Sequence, residues 1–132
     1  MKSVSIRNVL FIALLVFTLG LVGCRTEPIY NVQDSPVNTI GKTTTTNIKK
    51  AIMSAGAGLG WRMKEVKPGH IVATILLRGN TASVDIPYNK KTYSIVYKNS
   101  NGLKYDGSKI NKQYNKWIMN LDNAIQQRLI AM

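Results

Sequence analysis

The feature that most narrows the fold of this chain is a series of four short alternating segments between residues 61 and 98, each closed by a turn signal. Period-two alternation is the mark of a half-buried strand. Residues 61–66 set Trp61 and Met63 against Arg62 and Lys64, and Pro68-Gly69 turns the chain. Residues 70–78 carry Ile71, Ala73, Ile75 and Leu77 on one face and Val72, Thr74, Leu76 and Arg78 on the other. This is the most apolar segment and reads as an interior strand. Gly79-Asn80 then predicts a two-residue type II′ hairpin turn, with glycine at its first central position. In residues 81–88, Ala82, Val84, Ile86 and Tyr88 face the core while Ser83, Asp85 and Pro87 face out. After Asn89-Lys90-Lys91, residues 92–98 put Tyr93, Ile95 and Tyr97 inward and Ser94, Val96 and Lys98 outward. Short turns throughout imply an antiparallel meander.

Two amphipathic helices flank these strands. Ile48, Ala51, Ile52 and Ala55 share one face of a helix predicted over residues 47–57, with Thr46 as N-cap. Gly56, Gly58 and Gly60 stop it. Their spacing mimics part of a dinucleotide-binding loop, but that loop follows a strand and opens a helix, whereas these glycines do the reverse. Residues 99–107 are a polar loop pinned by Leu103 and Tyr105. Ser108 then caps a helix over residues 109–130, whose stripe is Ile110, Tyr114, Trp117, Ile118, Leu121, Ile125 and Leu129. The expected fold is α+β in the order α-β-β-β-β-α: a four-stranded antiparallel meander with both helices on one face. That domain occupies residues 47–132. Residues 24–46, with Pro28, Pro36 and the run Thr43 to Asn47, read as a tether. Ile29-Tyr30-Asn31-Val32 is the part of it able to add an edge strand.

Little here suggests chemistry. His70 is the sole histidine, without a second histidine or thiol to share a metal, and it lies far along the chain from Cys24, the sole cysteine, so neither a metal site nor a catalytic thiol is read here and no cofactor is expected. Glu65, Asp85 and Asp106 lie on separate elements. His70 reads as a strand-end or turn residue. The outward sheet face is the better candidate. Arg62, Lys64, Arg78 and Lys98 surround Val72, Thr74, Leu76 and Val96 there, an apolar centre with a basic rim. Two readings stand: a partner surface, or a face covered by the tether.

The N-terminus gives the sharpest assignment. Lys2 and Arg7 precede an apolar run from Val9 to Gly23, broken only by Thr18. This is shorter than the ~20 residues of a spanning helix. It has the parts of a secretory signal. Leu21-Val22-Gly23-Cys24 resembles the lipobox of bacterial lipoproteins: an aliphatic residue, a small or aliphatic one, Gly, Ala or Ser, then Cys. The resemblance covers residues 1–24. It implies a signal peptide over residues 1–23, cleavage between Gly23 and Cys24, and a diacylglyceryl thioether plus amine acylation on Cys24. It also implies a bacterial envelope location, and Arg25 in place of the retaining Asp points to the outer membrane, facing the periplasm. Gly60-Trp61, Tyr93-Ser94-Ile95-Val96-Tyr97 and Tyr114-Asn115-Lys116-Trp117-Ile118 make most of residues 47–129 similar to small uncharacterised envelope lipoproteins of Gram-negative bacteria. That similarity implies no activity.

Loss of Lys2 and Arg7 with the signal would take the net charge from +12 to +10. Such an excess favours anionic partners. The expected partners are the membrane, through the lipid, and an envelope protein or anionic glycolipid; nucleic acid is the least expected. The leading expectation is a non-enzymatic binding or structural module. Alternatives are an inhibitor or immunity-type protein, using loops such as Asn89-Lys90-Lys91 to block an envelope enzyme, and an envelope hydrolase with His70 as base. Cys24→Ala should abolish lipid labelling and leave the precursor uncleaved on a gel; normal maturation of the variant would remove the anchor.

Overall fold

The computed structural model describes residues 25–132. The lipobox, Gly23 and Cys24 included, lies outside the described residues. The elements in chain order are β1 (Thr26–Pro28), β2 (Val32–Pro36), α1 (Thr45–Gly58), β3 (Arg62–Lys67), β4 (His70–Leu77), β5 (Asn80–Pro87), β6 (Thr92–Asn101), β7 (Lys109–Asn111) and α2 (Lys112–Ile130). The expected meander is present as β3 to β6, and the chain is α+β. It is extended, however, to a five-stranded antiparallel sheet of order β2-β6-β5-β4-β3, with β1 and β7 forming a separate two-stranded ribbon. Among the described residues no helix is long and apolar enough to cross a membrane.

One core joins both helices to one sheet face. Ile48, Ile52 and Ala55 of α1 and Ile118, Leu121, Ile125 and Leu129 of α2 are buried together with Ile71, Ala73, Val84, Ile86, Tyr93 and Ile95 of the sheet. The apolar stripes read on the two helices are buried, and Trp117 belongs to the core; on the strands, Leu77, expected inside, is 44% exposed at the hairpin end, and Ser94, expected outside, is buried where it accepts from the Asp34 amide. Gly56 lets α1 close on β3, since a Cβ there would overlap the Met63 sulfur.

Residues 26–36 correct the tether expectation, because this stretch is built into the fold. Only Val32 of the Ile29–Val32 segment enters a strand, and that strand continues to Pro36. Alternation does not reveal it, since β2 is bulged between Val32 and Ser35 and Asp34 sits at φ 49°. Side chains from distant elements hold it instead. Asn115 of α2 accepts from the Tyr30 amide at 3.0 Å and donates to the Pro28 carbonyl at 2.9 Å and to Glu27 at 3.2 Å. Asn31 accepts from the Tyr97 amide at 3.0 Å, and Ser94 from the Asp34 amide at 2.9 Å. Gln126 donates to both Ser35 and Tyr93 at 2.8 Å.

Three boundaries also move. Thr44, not Thr46, caps α1, accepting from the Asn47 amide at 3.1 Å. Ser108 does not cap α2, because the helix begins only at Lys112; Ser108 instead belongs to a turn in which the Asp106 carboxylate accepts from the Ser108 and Lys109 amides at 2.9 and 2.7 Å. Residues Lys109–Asn111 pair with β1 instead, and Asn111 caps the helix through the Gln113 amide at 2.9 Å. The β4–β5 hairpin closes at Leu77 and Asn80, so its central residues are Arg78 and Gly79 at φ 53° and 80°. Positive φ at both positions is the type I′ pattern, whose strand twist matches the sheet. Arg78 bears the left-handed cost of roughly 1–2 kcal/mol.

Asn115 is 5% exposed and its removal would orphan the Tyr30 amide and the Pro28 carbonyl. Asn115→Ala should therefore cost about 2–3 kcal/mol, read as a lower urea midpoint; an unchanged midpoint would show that the N-terminal segment adds nothing.

Candidate functional site

The face of the sheet turned away from the helices is assembled by strand register. Lys64 of β3 lies beside Val72 of β4, Val72 beside Asp85 of β5, and Asp85 beside Val96 of β6. A second row runs Arg62, Thr74, Ser83 and Asn99, and Leu76 pairs with Thr81 toward the hairpin end. Successive residues of a strand point to opposite faces, so the same alternation that buries Ile71, Ala73 and Ile75 presents Val72, Thr74 and Leu76 outward. Leu76 is 67% exposed and Val66, on the bulge of β3, 47%.

Arg62, Lys64, Val72, Thr74 and Lys98 line one shallow depression of about 530 Å³, joined by Val66 and His70. Leu76 and Val96 belong to the same face by register. Arg78 does not join it, being placed at the tip of the type I′ turn. The Ile29–Val32 segment does not cover this face: Val32 is buried in the core on the opposite side, and Ile29 packs against that core.

The structure adds two residues to the face. His70 Nε2 and Asp85 Oδ1 are 2.7 Å apart, and Lys98 Nζ is 3.7 Å from the same carboxylate oxygen. Asp85 was legible as outward-facing, but its partners were not. They depend on a register that sets His70 opposite Pro87 and Val72 opposite Asp85, bringing the His70 ring diagonally to the carboxylate. The Asp85 charge is thus shared between an imidazole and an ammonium at the centre of a cationic face. Thr74 and Ser83 hydroxyls bond each other at 2.9 Å. Among the described residues no hydroxyl hydrogen-bonds to His70, and no three His, Cys, Asp or Glu side chains converge as a metal site. What the arrangement offers is a mixed surface for recognition: methyl groups at the centre, guanidinium and ammonium groups around them, one buffered carboxylate within.

Comparison with protein-family models, with curated proteins and with solved structures finds no match. The site therefore stands on its own geometry.

The remaining ionisable groups of note serve the core. Burial raises Tyr93 above its ordinary range, helped by its hydroxyl's 2.5 Å bond to Asp122. Burial raises Tyr114 as well, with the neighbouring phenols of Tyr97 and Tyr105 adding to it. Tyr114 is fully buried, and its hydroxyl has no hydrogen-bond partner among the described residues. The Tyr97 ring lies against Tyr105 at 4.2 Å and edge-on to Tyr114 at 5.7 Å between centroids. A phenol raised above the ordinary value of about 10 contributes stability that is whole below that pH and is lost as pH climbs through the folded-state value. Of the six tyrosines, Tyr93 and Tyr114 should ionise only as the fold opens. Phenolate absorbance followed beside circular dichroism checks this, and all six titrating before any loss of structure would contradict it.

Proposed function

We propose that this chain is a lipid-anchored, non-enzymatic binding module of the bacterial envelope, held at the outer membrane facing the periplasm, and that its uncovered sheet face receives an acidic envelope protein. The observation that carries the reading is that face itself. A sheet layer with no second layer over it would ordinarily present polar side chains to water, yet Val66, Val72, Leu76 and Val96 stand there among Arg62, Lys64 and Lys98. Apolar centres with cationic rims fit partners of matching shape and opposite charge.

The charge distribution supports the same reading. Six acids face sixteen lysines and arginines once Lys2 and Arg7 are set aside. Five of the acids are engaged within the fold: Glu27 with Asn115, Glu65 with Lys49 and Tyr88, Asp85 with His70 and Lys98, Asp106 with its turn, and Asp122 with Tyr93. Only Lys49 and Lys98 form ion pairs with carboxylates among the described residues. The cationic surplus is left for external contacts, and long-range attraction of an acidic partner follows from it.

Leu76→Asp tests the face directly. The side chain is exposed, so folding should change by no more than about 0.5 kcal/mol, while crosslinked partner recovered from cells should fall sharply. Recovery of the same partners at the parent level would end the claim for this face.

A further inference from the structure

We propose that the end of the domain adjoining Cys24 is a second membrane contact, a basic face that seats on anionic phospholipid headgroups and sets the orientation of the anchored protein. The proposal rests on the lipid anchoring read from Leu21-Val22-Gly23-Cys24 and adds to it a surface and a direction.

One residue, Arg25, separates Cys24 from β1, which begins at Thr26. A residue spans at most about 3.6 Å, so the fold begins within the thickness of the headgroup layer. With no tether, the surface around Thr26 has to lie against the bilayer that holds the lipid. That surface is cationic. Thr26 pairs with Asn111 and Pro28 with Lys109, so the next residues outward on the two chains are Arg25 and Lys112. Lys116 stands one helical turn beyond Lys112, on the same side of α2. Lys104 approaches from the loop whose Leu103 carbonyl accepts the Asn111 amide at 2.8 Å. Arg25, Lys104, Lys109, Lys112 and Lys116 are all exposed, and none of them forms an ion pair among the described residues.

Two carboxylates share this end. Glu27 accepts from Asn115, and Asp106 is occupied by the Ser108 and Lys109 amides, its acidity increased by those bonds. The cations outnumber them, and each basic side chain near an anionic leaflet strengthens association by roughly fivefold. Acyl chains on Cys24 would suffice for attachment. The basic face would decide instead which side of the domain looks away from the membrane.

The test uses the full chain, matured in bacteria and reconstituted into vesicles of phosphatidylcholine alone or with phosphatidylglycerol. Lysines are then acylated with a soluble reagent and quantified by mass spectrometry. Lys104, Lys109, Lys112 and Lys116 should lose labelling in the anionic vesicles relative to the neutral ones, and high salt should restore it. Lys90, in the β5–β6 turn, should label equally in both. The combined change Lys109→Glu, Lys112→Glu and Lys116→Glu, with unchanged circular dichroism, should abolish the protection at Lys104. Equal labelling of the four lysines in the two vesicle types would overturn the seating while leaving the anchor intact. An intact mass without lipid on Cys24 would overturn the anchor and this proposal together.

Discussion

The arrangement of this protein depends on a buried amide. Asn115 sits on the first turns of the last helix, and its side chain satisfies a backbone donor and a backbone acceptor on the segment that opens the domain. An extended segment with few apolar residues gains little from burial, so it needs its polar backbone groups paired to stay in place. Asn115 does this at β1, and Gln126, about three turns further along the same helix, adds a bond to the Ser35 hydroxyl. The start of the domain is thereby fixed to its end. Two consequences follow: β2 can complete the sheet beside β6, and the chain emerging toward Cys24 leaves from a defined point beside β7.

The sheet then divides the molecule into two unlike sides. Its inner face is closed by both helices around a single core. Its outer face has no layer over it among the described residues, although β4 carries Val72 and Leu76 on that side. Strands of this composition usually lie between two layers. Here Val72, Leu76 and Val96 are accompanied by cations that keep the face soluble and discourage edge-to-edge or face-to-face association with further copies. The single carboxylate on that face, Asp85, is bound by His70 and Lys98 and moderates the repulsion between the surrounding charges.

Much of this was legible from local patterns, and the misses share a cause. Ile118, Leu121 and Ile125 announced their helix face because burial against a sheet selects for the helical period. Val84 and Ile86 announced theirs by alternation. β2 was hidden because a bulge and a left-handed Asp34 break its alternation, and because it is held by Ser94 and Gln126 from far along the chain. Ser108 looked like an N-cap because serine favours that position, but the Asn111 amide it would have accepted from bonds the Leu103 carbonyl, and residues 109–111 pair with β1. The hairpin slipped by one residue for a similar reason. Arg-Gly is a poor type I′ signal by composition, yet the buried ladder that pairs Ile71 with Ile86, Ala73 with Val84 and Ile75 with Ala82 imposes it. On the candidate site, the outward set Arg62, Lys64, Val72, Thr74, Leu76, Val96 and Lys98 followed from parity alone, whereas the His70–Asp85 contact and the departure of Arg78 required the register.

By itself the sequence determined the α+β class, the four strands of the meander, both helix faces and, Leu77 and Ser94 apart, which strand residues point outward, since each is a local consequence of periodicity and turn chemistry. The tertiary structure alone decided that residues 26–36 are two strands and their connection rather than a tether, that Asp85 serves His70 and Lys98, and that cations from four separate stretches gather where the chain emerges. The first depends on hydrogen bonds between residues sixty or more positions apart, and the Asp85 contacts on the register between neighbouring strands, neither of which a local pattern encodes.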